Sequence, residues 1–200
     1  IADIAIDFDL WVFADEAYEK ILYDEAKHVS MASLNGMEDR VVTFQTFSKS
    51  YAMCGFRLGY CAGPKEFIAE MTKDHHYVTL TAPHLSQLMG VRALSLSKKY
   101  IDSMVSEYKR RRDFIVSRLN SLGLPTVNPR GAFYTFSNIS SYSKNSLQFG
   151  RKLLNDVKVA VIPGTEFGPQ GEGYIRCSFA TAYDKIETAI ERIGKFVKKD

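Results

Sequence analysis

Thr46-Phe47-Ser48-Lys49-Ser50-Tyr51-Ala52-Met53-Cys54-Gly55-Phe56-Arg57-Leu58-Gly59-Tyr60 is the stretch on which the fold turns. The apolar run over residues 41–47 predicts one strand, and residues 57–62 predict another, stopped by Gly63-Pro64. The first strand delivers Lys49 into a group of hydroxyls, Thr46, Ser48 and Ser50, and Arg57 opens the second. Ligands of open α/β sheets collect outside the carboxyl ends of strands. Hydroxyls, exposed N–H groups and an arginine together suit a phosphate. A lysine beside such a site is either one more phosphate cation or a Schiff-base nucleophile. Taken singly, Lys49 is a surface lysine and Arg57 a solvated charge. The glycines at 55, 59 and 63 weigh against that, because each removes a side chain where backbone must bend or approach something closely.

Upstream, residues 10–14 are a short apolar run that reads as a buried strand of a parallel sheet and ends at Asp15. A carboxylate there needs a partner. It is either a turn residue or a group held against a ligand cation. Ile1, Ile4, Ala5 and Phe8 carry a helical period that begins without an N-cap. Downstream, a short helix is expected over residues 64–73, and the character changes after Pro83. Residues 85–96 read as a helix. A longer one follows, with Ile101, Met104, Val105, Tyr108, Arg112, Ile115, Leu119 and Leu122 on one stripe and Gly123 and Pro125 ending it. Then come a strand (132–136), a helix near 146–156 and strands at 159–162 and 174–179. Ile186, Ala189, Ile190, Ile193 and Phe196 give the last helix its core face. The reading is α/β over residues 1–97 and α+β over 98–200.

Composition narrows the function. The chain has 200 residues, 46% apolar and 24% charged, enough for a real core. A net charge of +3 does not favour nucleic acid, and no apolar run has the length of a membrane helix. Three cysteines without CxxC spacing argue against a disulfide framework or zinc site and suit a reducing, cytoplasmic setting. His75-His76 reads as a helix-end pair, and no metal site is expected. Lys109-Arg110-Arg111-Arg112 reads as a solvated helix face. Lys195, Lys198 and Lys199 suit a helix C-terminus. Cys54 reads as a small packing residue. Phe133, Tyr134 and Phe136 read as strand residues in a core or a site wall.

Taken together, these residues resemble the pyridoxal-phosphate-dependent aminotransferases of fold type I, the aspartate aminotransferase-like class I/II group. Asp15-Glu16-Ala17-Tyr18 is similar to that family's D-E-x-Y segment. Thr46 to Lys49 with Gly55-Phe56-Arg57-Leu58-Gly59 is similar to its S-F-S-K…G-x-R-x-G signature. Gly131-Ala132-Phe133-Tyr134, Val161-Ile162-Pro163-Gly164…Phe167-Gly168 and Tyr174-Ile175-Arg176-Cys177-Ser178-Phe179 are similar to its small-domain landmarks, in order. The resemblance implies that Lys49 bonds the cofactor aldehyde and moves the substrate proton. It implies that Asp15 faces the pyridine nitrogen and Tyr18 the phenolic oxygen. Arg57, Thr46 and Ser48 would bind the phosphate, and Arg176 the substrate α-carboxylate. Thr46 stands where the family commonly has serine, and a hydroxyl is kept. Intact members are roughly twice this length. The resemblance therefore implies the C-terminal part of a large, mostly parallel-sheet domain followed by the small domain, in a subunit that is a homodimer when full length. A lyase or an aminocyclopropane-carboxylate-synthase-like enzyme would use the same residues. A catalytically incomplete structural piece is the other alternative.

Overall fold

The computed structural model describes residues 1–198. It divides into two compact units, Ile1–Asp102 and a second from Ser103 onward. The sequence reading set this boundary at residue 97. Lys199, expected with Lys195 and Lys198 at a helix end, lies outside the described residues.

The first unit holds α1 (Ala2–Asp7), β1 (Val12–Asp15), β2 (Val41–Thr46), the one-turn α2 (Phe47–Ser50), β3 (Gly59–Ala62), α3 (Lys65–Thr79) and α4 (His84–Leu94). Its sheet runs β1-β2-β3. β1 lies parallel to β2, with Asp15 opposite Phe44, whereas β3 is antiparallel to β2, with Gly59 opposite Thr46. Among these strands one pairing is parallel and one antiparallel, within the α/β fold that was expected. The cause of the antiparallel pairing is local: residues 47–58 form α2 and a 3-10 turn, and the chain re-enters the sheet without a crossover. Gly59 allows the close pairing, since a Cβ there would stand 2.7 Å from the Gln45 carbonyl oxygen.

Two apolar clusters hold this unit. Ala5, Ala14, Met37 and Val41 form one, and Phe47, Met53, Leu58 and Ala93 the other. The first strand pairs in parallel as expected, but the expected burial holds only in part. β1 alternates: Ala14 faces inward, while Phe13 is 59% exposed and Asp15 is exposed as well. β1 is an edge strand with β2 as its only ladder neighbour among the described residues, so its second face has only the rings of Phe44 and Phe67 against Phe13. In α1 only Ala5 is buried, and Ile1, Ile4 and Phe8 stay exposed. α3 continues to Thr79, past the expected end at 73, and carries His75 and His76 in its last turns.

The second unit holds all but the first four residues of α5 (Lys99–Ser121). It also holds β4 (Tyr134–Asn138), α6 (Ser146–Val157), β5 (Ile162–Pro163), β6 (Tyr174–Ser178) and α7 (Tyr183–Val197). The sheet order is β4-β6-β5, all antiparallel. The strand expected over 159–162 shrinks to Ile162–Pro163. Ile115, Leu119, Ile175, Phe179, Ile190 and Ile193 make the core, with α7 contributing the face its periodicity predicts. One expectation fails here. Arg112 is not solvated: it is 1% exposed, and its Nε and Nη2 donate to Asp113 at 2.9 and 2.6 Å while Nη1 donates to the Pro129 carbonyl at 3.1 Å. Among the described residues, no helix is long and apolar enough to cross a membrane.

Candidate active site

Strand polarity gathers the candidate residues of the first unit. β1 and β2 are parallel, so their carboxyl ends share one edge of the sheet, and antiparallel β3 begins at that same edge. Asp15 ends β1, Thr46 ends β2, Ser48 and Lys49 lie on α2, and Arg57 precedes β3. Tyr18 follows Asp15 in a turn. Side-chain contacts tie the two segments together. Lys20 Nζ lies 2.9 Å from Glu19 and 5.4 Å from the centre of the Tyr51 ring. Burial works against the Lys20 charge, but hydrogen bonds to Glu19 and Tyr51 outweigh it and raise its pKa.

Each group has a definite state. Asp15 is exposed, its Oδ1 accepts the Ala17 N–H at 3.1 Å, and no cation pairs with it among the described residues. Thr46 caps α2: its Oγ1 accepts the Ser48 N–H at 3.1 Å and donates to the Leu58 carbonyl at 3.3 Å. Its one proton is therefore directed at backbone, and donation to a phosphate would require the hydroxyl to turn. The Ser48 hydroxyl has no partner among the described residues. Ser50 is buried, and its Oγ has no hydrogen-bond partner among the described residues. Lys49 is half-buried, and Arg57 is exposed with Nη1 donating to the Cys54 carbonyl at 3.0 Å. Arg57 has φ of 50°, a left-handed conformation uncommon for a residue with a Cβ. The buried face of α4 secures this turn. Ser86 Oγ donates to the Phe56 carbonyl at 2.7 Å, and a Cβ on Gly90 would run into the Leu58 side chain.

Glu16, between Asp15 and Tyr18, was not singled out from the sequence. It is buried, accepts from Ser30 Oγ at 2.9 Å and from the Met31 N–H at 3.1 Å, and lies 2.8 Å from His28 Nε2. Burial pushes its carboxyl up, but the hydrogen bonds from His28, Ser30 and Met31 prevail and hold it below the usual range. Glu19 completes a group with Glu16 and His28 whose ligand atoms lie within 4.8 Å of one another. Both Glu16 oxygens already have protein partners, so the group reads as an anchor for the 15–18 turn. No sequence signal links residue 16 to residues 28–31, which meet through an irregular loop.

A carboxyl whose folded pKa is lowered contributes stability that is present above its unfolded pKa and lost as pH falls through the folded value. Glu16→Gln should therefore cost about 1–2 kcal/mol at pH 7. The deficit should begin to shrink below about pH 4, where the unfolded chain's carboxyl takes up its proton, and go on shrinking until the folded carboxyl, held lower, protonates too. Urea midpoints of both proteins at pH 7 and pH 3.5 check this; a deficit equal at both would contradict it.

In the second unit, Arg176 sits mid-strand on β6, opposite Phe136 of β4 and Ile162 of β5. It is half-buried and has no hydrogen-bond or ion-pair partner among the described residues. Its guanidinium lies 4.4 Å from the Tyr134 ring centre and 4.8 Å from that of Phe167. The neighbouring Cys177 faces the other side, where burial pushes its thiol up to about 11.

A family model for aminotransferases of class I and II matches residues 1–193. The aspartate aminotransferase of Pyrococcus abyssi is 45% identical over 201 aligned positions, covering 100% of this chain and 52% of its own. Aromatic-amino-acid aminotransferase 2 of Thermococcus litoralis is 41% identical, with 100% of this chain and 52% of its own covered. The solved aromatic aminotransferase of Pyrococcus horikoshii superposes with a TM-score of 0.96 at 44% identity, over 99% of this chain and 54% of that one. The chain thus spans about half the length of the curated relatives it matches.

Proposed function

The chain belongs to the class I and II aminotransferases, and from that premise we propose that it is the C-terminal half of a subunit that passes an amino group between an amino acid and a 2-oxo acid, using pyridoxal phosphate. One observation carries the reading: Asp15, Tyr18, Ser48, Lys49 and Arg57 converge on one sheet edge. The order of motifs supports the C-terminal placement, with the lysine segment first and the small-domain landmarks after it.

The donor set fits the cofactor. At the same sheet edge as the Lys49 amine are, among the described residues, an acid without a cation, a guanidinium without an acid and a hydroxyl without a partner. When bound, the cofactor supplies an aldehyde for the amino group and an electron-withdrawing ring. Asp15 would keep a proton on the pyridine nitrogen by charge pairing. Tyr18 would donate its hydroxyl proton toward the phenolic oxygen. Arg57 would offer a planar fork to the phosphate, joined by the hydroxyl of Ser48 and, after turning, that of Thr46. Lys49 Nζ would hold the cofactor covalently at rest; once the substrate's amino group has taken its place, the freed amine would take the proton from the substrate α-carbon and give it back in the reverse half of the exchange. Arg176 pairs with the substrate α-carboxylate. Donor and acceptor use the same groups in turn, which makes the kinetics ping-pong. For the whole subunit we propose a homodimer, as the resemblance implies, in the reducing, cytoplasmic setting that the cysteine pattern suits.

The test is turnover by the intact subunit that contains this chain. Aspartate or an aromatic amino acid with 2-oxoglutarate should give glutamate, one per oxo acid released. Pyruvate or ammonia appearing without an acceptor would mean a lyase instead.

A further inference from the structure

We propose that Tyr134 and Phe167 are positioning residues that hold the Arg176 guanidinium in place and leave its donors open for a carboxylate. The proposal rests on the reading of Arg176 as the α-carboxylate site and names what prepares it. A guanidinium drawn out of water gains from a charge or a polarisable face beside it. Arg176 is paired with no acid among the described residues; two aromatic rings approach it instead, at 4.4 and 4.8 Å. A ring face attracts the cation without accepting its N–H groups along their own directions. The guanidinium is thus localised while its fork stays available, and a bound carboxylate displaces no competing acid.

The rings are themselves fixed. Tyr134 lies on β4, on the same face of the sheet as Phe136 and, across the ladder, Arg176. Its centre is 4.8 Å from that of Phe133. Phe167 meets Phe136 edge-on at 5.9 Å, and Phe136 stacks on Tyr174 at 4.9 Å with planes 6° apart. Phe167 is carried by the 3-10 turn Gly164–Phe167, where the backbones of Gly164 and Gly171 press together so closely that a Cβ on either would overlap the other residue. The turn that brings the second ring to Arg176 is therefore held by backbone packing, and the first ring by the sheet. Apolar rings also lower the local dielectric, which strengthens a charge-assisted hydrogen bond formed there.

The experiment compares wild type, Tyr134→Leu, Phe167→Leu and Tyr134→Phe in the intact, cofactor-loaded subunit. It measures KM and kcat for amino donor and oxo acid, and oxo-acid binding by calorimetry. Each leucine variant should raise KM and weaken binding about tenfold for both substrates, with kcat changing less, since the rings act on carboxylate capture. The visible cofactor band should stay where it is. Tyr134→Phe keeps the ring and should restore KM. A purely structural role would lower the unfolding temperature and the active fraction while leaving KM alone, and that result overturns the proposal. So does a Tyr134→Phe variant as impaired as Tyr134→Leu, which would place the effect in the hydroxyl. If wild type itself neither binds oxo acid nor transaminates, the reading of Arg176 fails first, and that control separates the two failures.

Discussion

Replacing Lys49 by arginine should silence transamination as completely as replacing it by alanine. The lysine could serve the site in two ways, as a phosphate cation or as the amine that bonds the cofactor and carries the proton. Arginine retains the first and loses the second, because a guanidinium stays protonated and is no nucleophile near neutral pH. On the proposed reading both variants lose about 10⁴-fold or more in kcat/KM, since proton transfer alone is worth up to about that and the covalent link goes with it. The fold should survive. α2 packs inward through Phe47 and Ser50, while Lys49 is only half-buried. Unfolding midpoints of the three proteins should therefore coincide. Activity of Lys49→Arg within about tenfold of wild type would assign Lys49 to the phosphate.

The second large effect concerns stability. Arg112→Ala should cost about 3 kcal/mol or more, because it empties a buried site and strips a carbonyl of its donor. The Pro129 carbonyl loses its contact with Nη1, and Asp113 keeps only Lys109, 2.9 Å from its other oxygen. Burial raises the Asp113 carboxyl, but hydrogen bonds to Lys109 and Arg112 prevail and hold it low, so the pairing is real and only half lost. Arg112→Met refills the stem volume and should recover part of the deficit. Urea unfolding checks both. A loss under about 1 kcal/mol in the alanine variant would match an ordinary surface arginine.

Arg112 also shows how far the sequence could be read. Two local signals competed there: the stripe with Tyr108, Ile115 and Leu119 pointed inward, and the run of four basic residues pointed outward. The periodicity prevailed, since Asp113 and a backbone carbonyl make the burial affordable. The lysine site was legible for a different reason. Its chemistry lies in residue types at short spacings, and the strand ends at Asp15 and Thr46 were marked by apolar runs. What stayed hidden depends on pieces far apart in the chain. Glu16 meets His28 and Ser30 through an irregular loop. The exposure of Phe13 and Asp15 follows from β1 lying at a sheet edge. The rings around Arg176 come from β4 and a glycine-pinned turn, and neither periodicity nor composition relates Phe167 to residue 176.

The central claim is that Lys49 is the amine that bonds pyridoxal phosphate. The direct measurement is to load the intact subunit with the cofactor, record its visible band, add amino acid, then reduce a resting sample with borohydride and map the modified peptide. The account predicts a band that shifts on amino-acid addition and a single modified residue, Lys49. A single label on any other lysine, or label scattered over surface lysines, would contradict it.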